Sequence, residues 1–345
     1  MPDSVFIDTI KGIKRERPPV WFMRQAGRVL PSYLSLREKY SFHEIMHDPE
    51  LAAEVTLLPV FDLDVDAAIL FSDILVIPEA LGMKLHFSDK GPVFETPLSH
   101  LTNPVSGLNP EPSNLNHIYK TIDIIKNKKS IVQPLIGFCG GPFTLFCYMV
   151  QGNSTQPDFP EAIHLFYNDP KTTAAIFEII TELSVTYATT QAIHGIDTFQ
   201  LFETHAGLIP SDCYIEKIVP YVKRITKAVR SKNIPVIFFP KGLGNGLSKI
   251  NADTADFISI DWQFPLEEAR KMIDQKTGIQ GNLDPRILSV TNPDILKKEL
   301  EKFLPFGQRE SNWIFNTGHG VSPDNTFENV KFVVDWIKST NWHRN

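Results

Sequence analysis

The sequence predicts an α/β protein built as a parallel (β/α)8 barrel, somewhat irregular, with its active site at the carboxyl-terminal mouth. Three observations predict it. Short apolar runs alternate with amphipathic stretches of helical length. Nearly every run is followed by a polar or glycine residue. The 345-residue length suits one such barrel, and no linker divides the chain, so residues 1–345 are expected to form one domain. An open doubly wound sheet would gather only the strand ends near its switch point, whereas a closed barrel brings all of them to one mouth.

The runs are Ala67 to Phe71, Ile131 to Phe138, Thr198 to Phe202, Pro235 to Phe239, Phe257 to Ile260, Ile279 to Leu283, and Trp313 to Asn316. They make seven strands and leave the eighth unlocated. The segment Leu85 to Asn116, rich in Pro, Ser, Asn and Gly, is expected to be an excursion holding a weak strand or hairpin. Helix starts are marked by a capping side chain before proline at Asp48-Pro49, Asp169-Pro170, Asn292-Pro293 and Ser322-Pro323. Polar residues at the strand ends are Asp73, Glu203 with His205, Lys241, Asp261, Asn282 with Asp284, and His319, joined by the Gly140-Gly141 pair.

Composition bounds the function. Hydrophobic residues make up 42% and charged residues 21%, as in a globular protein with an ample core. No apolar run is long enough to span a membrane, and Met1 to Lys14 lacks the order of a secretory signal, so a cytoplasmic location is expected. A net charge of −6 argues against a nucleic-acid partner and confines any anion site to a local cleft. Cys139, Cys147 and Cys213 have neither the number nor the spacing of a disulfide framework or a zinc cage.

One segment stands out, Pro19-Val20-Trp21-Phe22-Met23-Arg24-Gln25-Ala26-Gly27-Arg28. Two guanidinium forks four residues apart, their stems among apolar residues, read as a clamp for carboxylates. A pair of solvated arginines on a helix is the plainer alternative, and Gly27 argues against it, because glycine permits unusual backbone and close ligand approach. Asp73 stands alone in Ile69-Leu70-Phe71-Ser72-Asp73-Ile74-Leu75, as a desolvated acid or as a helix cap. Gly140-Gly141 precedes a helix carrying Tyr148, which fits an anion site at a helix start or an ordinary tight turn. His319 lies between two glycines in Asn316-Thr317-Gly318-His319-Gly320.

His43-Glu44-Ile45-Met46-His47 matches the HExxH pattern of zinc hydrolases. Asp48-Pro49 ends that helix at once and no third ligand motif follows, so no metal site is expected.

In order along nearly the whole chain, the segments Pro19 to Arg28 with Leu30-Pro31, Phe71-Ser72-Asp73-Ile74-Leu75, Gly137 to Gly152, Gln200 to Gly207, Gln280-Gly281-Asn282-Leu283-Asp284-Pro285 and Gly318-His319-Gly320 resemble the uroporphyrinogen decarboxylase family. That resemblance implies a homodimeric barrel acting without metal or cofactor on a tetrapyrrole, removing carbon dioxide from its acetate side chains. It implies catalytic roles for Arg24, Asp73, Tyr148 and His319. The binding residues it implies are Arg24, Gln25, Ala26, Gly27, Arg28, Ile69, Phe71, Asp73, Tyr148, Thr204 and His319. Gln151 and the stretch Phe238-Phe239-Pro240-Lys241 depart from the family pattern. Alternatives are a related methyl-transfer barrel using zinc and a corrinoid partner, a zinc hydrolase using His43 and His47, and a non-catalytic tetrapyrrole carrier. The first would need a His-x-Cys zinc set that the three cysteines do not offer.

Overall fold

The computed structural model describes residues 4–88, 91–128 and 131–343. Among the described residues nine strands are formed: β1 (Ala68–Ile69), β2 (Leu85–Ser88), β3 (Gly91–Phe94), β4 (Leu135–Gly140), β5 (Thr198–Glu203), β6 (Val236–Pro240), β7 (Phe257–Ser259), β8 (Gly278–Gln280) and β9 (Trp313–Ile314). Strands β1 and β4 to β9 make one parallel sheet in the order β1-β4-β5-β6-β7-β8-β9, with helices packed outside it. These are the seven runs expected from sequence. β4 starts at Leu135, later than the apolar run, and continues into Gly140.

The missing eighth position is filled by the residues leading into the arginine segment. Val20 bridges in parallel to Phe315, just beyond β9. On its other side the Asp66 N–H, just before β1, donates to the Val20 carbonyl at 2.9 Å. Pro18 and Pro19 precede it and offer no N–H, so the ladder cannot extend backwards. Asp66 also fixes this closure through its side chain. Its Oδ2 accepts from the Val20 N–H at 2.8 Å, and both its oxygens take the Arg17 fork at 2.7 Å.

A contiguous buried cluster fills the barrel and the space beneath the helices, with Trp21, Phe199, Phe238 and Trp313 among its largest members. A polar ladder crosses it: Trp21 Nε1 donates to Gln280 Oε1 at 3.0 Å, and Gln280 Nε2 donates to Gln200 Oε1 at 3.1 Å and to Ser259 Oγ at 3.0 Å. Such groups are tolerated inside because they satisfy one another.

β2 and β3 pair antiparallel, and three short 3-10 turns follow them, as expected of an excursion. Asp48, Asp169 and Asn292 cap helices as expected. Ser322-Pro323 does not. Ser322 is locked into a turn by Asn325 Oδ1, which accepts its N–H at 2.7 Å, and the final helix Phe327–Ser339 is capped by Thr326 instead. Among the described residues no helix is long and apolar enough to cross a membrane.

Candidate active site

Because Val20 occupies the eighth strand position, the chain emerges at the mouth just where Arg24 begins. The emerging segment is pinned to the end of β9, with the Met23 N–H donating to Asn316 Oδ1 at 3.1 Å and the Val321 N–H to the Met23 carbonyl at 2.8 Å. It is a series of turns, not a helix. Arg24 itself takes the left-handed conformation, at φ 61°. Gly27, expected to supply the unusual backbone, has no positive φ, and a Cβ there would sit 3.1 Å from the Arg24 carbonyl. A left-handed arginine is costly, and such strain collects at functional positions.

Arg24 and Arg28 are exposed, and among the described residues neither guanidinium has a hydrogen bond or ion pair. Two cations on one segment, each without an anion, form a ready carboxylate site. Gln25 is placed differently from the two arginines. Its side chain is fully buried, with Oε1 accepting from the Phe22 N–H and Nε2 donating to the Ala67 carbonyl, both at 3.0 Å. It braces the segment against β1, and its side chain is closed to solvent. Ala26 and Gly27 are half-buried on the turn between the arginines.

Asp73 lies past the end of β1. One oxygen accepts the Leu75 N–H at 2.8 Å, so the cap reading holds for that half of the carboxylate. Burial raises the Asp73 pKa, against the Leu75 hydrogen bond and the Arg24 charge, which lower it. Tyr148, on the helix Pro142–Gln151, feels both Asp73 and Arg24, and burial raises its phenol. His319 completes the group. Burial first, then Arg24, Lys241 and His205, push its pKa down to about 3, so the imidazole is neutral.

The two glycines beside His319 now have a reason. A Cβ at Gly318 would lie 2.2 Å from the Trp262 backbone nitrogen, and one at Gly320 would lie 2.5 Å from Arg24 Cδ. The histidine turn is pressed between the backbone after β7 and the stem of Arg24. The structure therefore brings Arg24, Asp73, Tyr148 and His319 together. Arg28 stands further out, where its charge acts on Tyr33. Phe71 is buried beneath this rim with Tyr33 at 5.8 Å and Phe42 at 5.7 Å between ring centroids, and Ile69 is buried in β1. Thr204 follows β5 and is half-buried.

Other strand-end groups are consumed internally. Glu203 is fully buried against the start of the helix Pro142–Gln151. It accepts from the Phe143 and Thr144 N–H groups, the Thr144 hydroxyl and the Tyr214 phenol. A Cβ at Gly141 would lie 2.5 Å from its carboxyl. The anion at this helix start is thus the chain's own glutamate, and the Gly140-Gly141 turn makes room for it, not for a ligand. Burial pushes the Glu203 pKa up to about 7, against four donors that favour its charged form. Asp261 accepts the Gly242 and Gln263 N–H groups, and Asn282 donates to the Asp261 and Phe264 carbonyls.

Four mouth residues have no place in the expected set. Trp262 stacks on His319 at 6.0 Å with planes 7° apart, and Lys241 and Arg286 each lie 5.5 Å from its ring centre. His205 packs on Phe159 at 4.5 Å and Tyr148 at 5.5 Å. His205 and Lys241 are visible in the sequence as strand-end polar residues, whereas nothing local singles out Trp262 or Arg286. Cys139 and Cys147 are buried, and burial raises both thiols, Cys139 to about 12. Two clefts of about 710 and 640 Å³ lie elsewhere. They are lined partly by residues that pair with one another, such as Arg309 with Glu267 and Arg230 with Asp256.

Comparison with known proteins identifies the family. Residues 1–340 match the family model described as uroporphyrinogen decarboxylase (URO-D). A uroporphyrinogen decarboxylase of Trichlorobacter lovleyi is 38% identical over 333 residues, covering 96% of this chain and 97% of that protein. One of Vesicomyosocius okutanii is 36% identical over 337 residues, covering 96% of each. Among solved structures, a methyltransferase from Methanosarcina mazei superposes with a TM-score of 0.77 at 18% identity over 96% of both chains. A B12-independent methionine synthase from Shewanella superposes with a TM-score of 0.58 at 11% identity, covering 84% of this chain and 86% of the other. At those identities the two structures establish the barrel fold, while the family model and the relatives, over nearly the whole length, establish that this chain belongs to the uroporphyrinogen decarboxylase family.

Proposed function

We propose that the chain decarboxylates the four acetate side chains of uroporphyrinogen III to methyl groups, giving coproporphyrinogen III and carbon dioxide. The observation that carries this reading is the pairing, at one mouth, of two unpartnered arginines with a desolvated aspartate. The arginines suit the many carboxylates of the substrate, and the aspartate suits its pyrrole N–H groups.

Loss of carbon dioxide breaks the bond between the acetate methylene and its carboxylate, and the electron pair must go somewhere. Most decarboxylases supply a cofactor as sink. A pyrrole protonated at the ring carbon beside the acetate-bearing carbon is its own sink: the pair flows into the cationic ring, carbon dioxide departs, a second proton on the methylene completes the methyl group, and loss of the first proton from the ring carbon restores the pyrrole, so that one proton is consumed for each carbon dioxide released. Ionised Asp73 stabilises that cation from a preorganised, largely dry position. Burial favours the protonated form of Asp73, and a carboxylic acid is a far better proton donor than a guanidinium.

An arginine that held the reacting carboxylate equally well before and during reaction would not accelerate it. Arg28, at the rim, is therefore assigned to carboxylates that do not react, with Arg24 over the reacting ring. Neutral His319 and Tyr148 line the same space as hydrogen-bonding groups. Cys139 and Cys147 are buried and no cysteine has a His-x-Cys neighbour, which favours this reading over zinc-thiolate methyl transfer.

The test is anaerobic incubation with uroporphyrinogen in the presence of a metal chelator, followed by chromatographic separation of the products. Stepwise appearance of species with seven, six, five and four carboxyl groups is expected. Absence of product from demonstrably folded protein would overturn the assignment. A homodimer belongs to the same reading and is checked by sedimentation.

A further inference from the structure

The short helix Phe42–His47 carries the HExxH residues, and the fold does something with them that the sequence does not reveal. His43 and His47 stack with ring centroids 3.9 Å apart, and His117, from the helix Asn116–Asn127, stacks on His47 at 4.6 Å. Glu79, on the helix Val76–Ala80 that follows Asp73, reaches the same place. One donor atom each from His43, His47 and Glu79 lie within 4.8 Å of one another.

His47 Nδ1 lies 3.0 Å from the His43 carbonyl and so carries the proton there, which leaves Nε2 with its lone pair. Among the described residues the Glu79 carboxylate makes no hydrogen bond or ion pair, although the residue is half-buried. His117 Nε2 is buried without a partner. Glu44, the central residue of the pattern, is tied into the helix cap: its carboxylate accepts the Ser41 N–H at 2.7 Å. It is not available as the base of a zinc hydrolase.

We propose that His43, His47 and Glu79 bind one divalent transition-metal ion of the zinc class, with His117 or water as the fourth donor. Two imidazole nitrogens and one carboxylate oxygen are a donor set that suits zinc, whose bonds of about 2.0–2.2 Å place tetrahedral donors about 3.3 Å apart. Ligation requires the stacked His43 and His47 rings, whose planes are 24° apart, to turn so that a nitrogen of each faces Glu79. The cation supplies the partner that the Glu79 carboxylate lacks. Sequence reading gave no third ligand because it comes from another helix, well beyond His47. The ion would tie the helix Phe42–His47 to the helix that leaves Asp73, whose charge acts on Glu79, and its binding is measured without any assay of decarboxylation.

The test uses untagged full-length protein, stripped with chelator and titrated with Co²⁺. Expected are one Co²⁺ per chain, visible absorption bands typical of four-coordinate cobalt, and displacement of the bands by Zn²⁺. H47A and E79Q should each weaken binding by more than the roughly 10–100-fold that loss of a supporting group costs. His164→Ala, at an exposed histidine elsewhere, should leave it unchanged. Circular dichroism establishes that each variant is folded. No saturable binding tighter than about 1 mM, or equal binding by folded H47A and E79Q, would overturn the site.

Discussion

Replacing Gly320 with alanine isolates what the stem of Arg24 contributes. The new Cβ would stand 2.5 Å from Arg24 Cδ, 2.8 Å from Cγ and 3.1 Å from Nε. Carbon atoms rest about 3.5–4.0 Å apart, so the stem must move by about 1 Å. Nothing resists that movement, because the guanidinium has no partner among the described residues, and Gly320 has no positive φ that would penalise alanine. Stability should therefore change by less than about 1 kcal/mol. For 345 residues, an unfolding entropy of about 2.1 cal/mol/K per residue makes that a Tm shift below about 1.5 °C. Catalysis should suffer more, since a hydrogen bond to a charged group is worth about 1.5–3 kcal/mol. That corresponds to a fall in kcat/KM of about 10- to 150-fold. Gly318→Ala is the contrasting case. Its Cβ would lie 2.2 Å from the Trp262 backbone nitrogen, which cannot swing aside, and a cost of about 3 kcal/mol or more is expected, lowering Tm by about 4 °C or more. The assays are uroporphyrinogen turnover and thermal unfolding of both variants. Normal kcat/KM in Gly320→Ala would refute the positioning of Arg24, and a Tm loss equal to that of Gly318→Ala would refute the compliance of the contact.

Further substitutions test the other parts of the mouth. Asp73→Asn should lower kcat by about 10²–10³-fold with an unchanged circular dichroism spectrum, and near-normal turnover would remove Asp73 from the mechanism. Arg28→Ala should raise KM with little change in kcat; identical kinetics would remove it from the clamp. Asp66→Ala should cost about 2–4 kcal/mol in denaturant unfolding, because it strands Arg17 and an N–H at the closure; a loss below about 0.5 kcal/mol would mean the barrel closes without it. The His319 pKa near 3 and the His205 pKa near 4 lie below the unfolded value of 6.5, so the unfolded chain binds more protons between. Their contribution to stability is full above pH 6.5 and is lost as pH falls toward 4. Denaturation midpoints should fall across that window, and labelled-imidazole NMR should find His319 neutral from pH 8 to 5; a midpoint for His319 above 6 would contradict its burial beside Arg24 and Lys241.

Seven strands are readable in the chain because each is a continuous apolar run buried on both faces, and that pattern is local. The eighth is not, because Val20 is held by one bridge and by the Asp66 hydrogen bonds, and two prolines remove the ladder that would have lengthened it. The same reasoning applies to Ser322-Pro323, which has the local signature of a helix start but is captured by Asn325 into a turn. HExxH is the reverse case, a pattern with a recognisable signature whose third donor, Glu79, only folding supplies.

What the sequence alone determined is the alternation of strand and helix, the arginine segment, and the residue types that follow each strand, since these depend on neighbours along the chain. It did not distinguish among the strand-end polar groups. Asp73, Glu203, Asp261 and Asn282 look alike in sequence, yet Glu203 is filled by donors from Phe143, Thr144 and Tyr214, and Asp261 and Asn282 brace one turn, while Asp73 keeps one oxygen free beside Arg24. Only the tertiary structure decides this, because a carboxylate's availability depends on which donors reach it, and those donors arrive from other strands and helices.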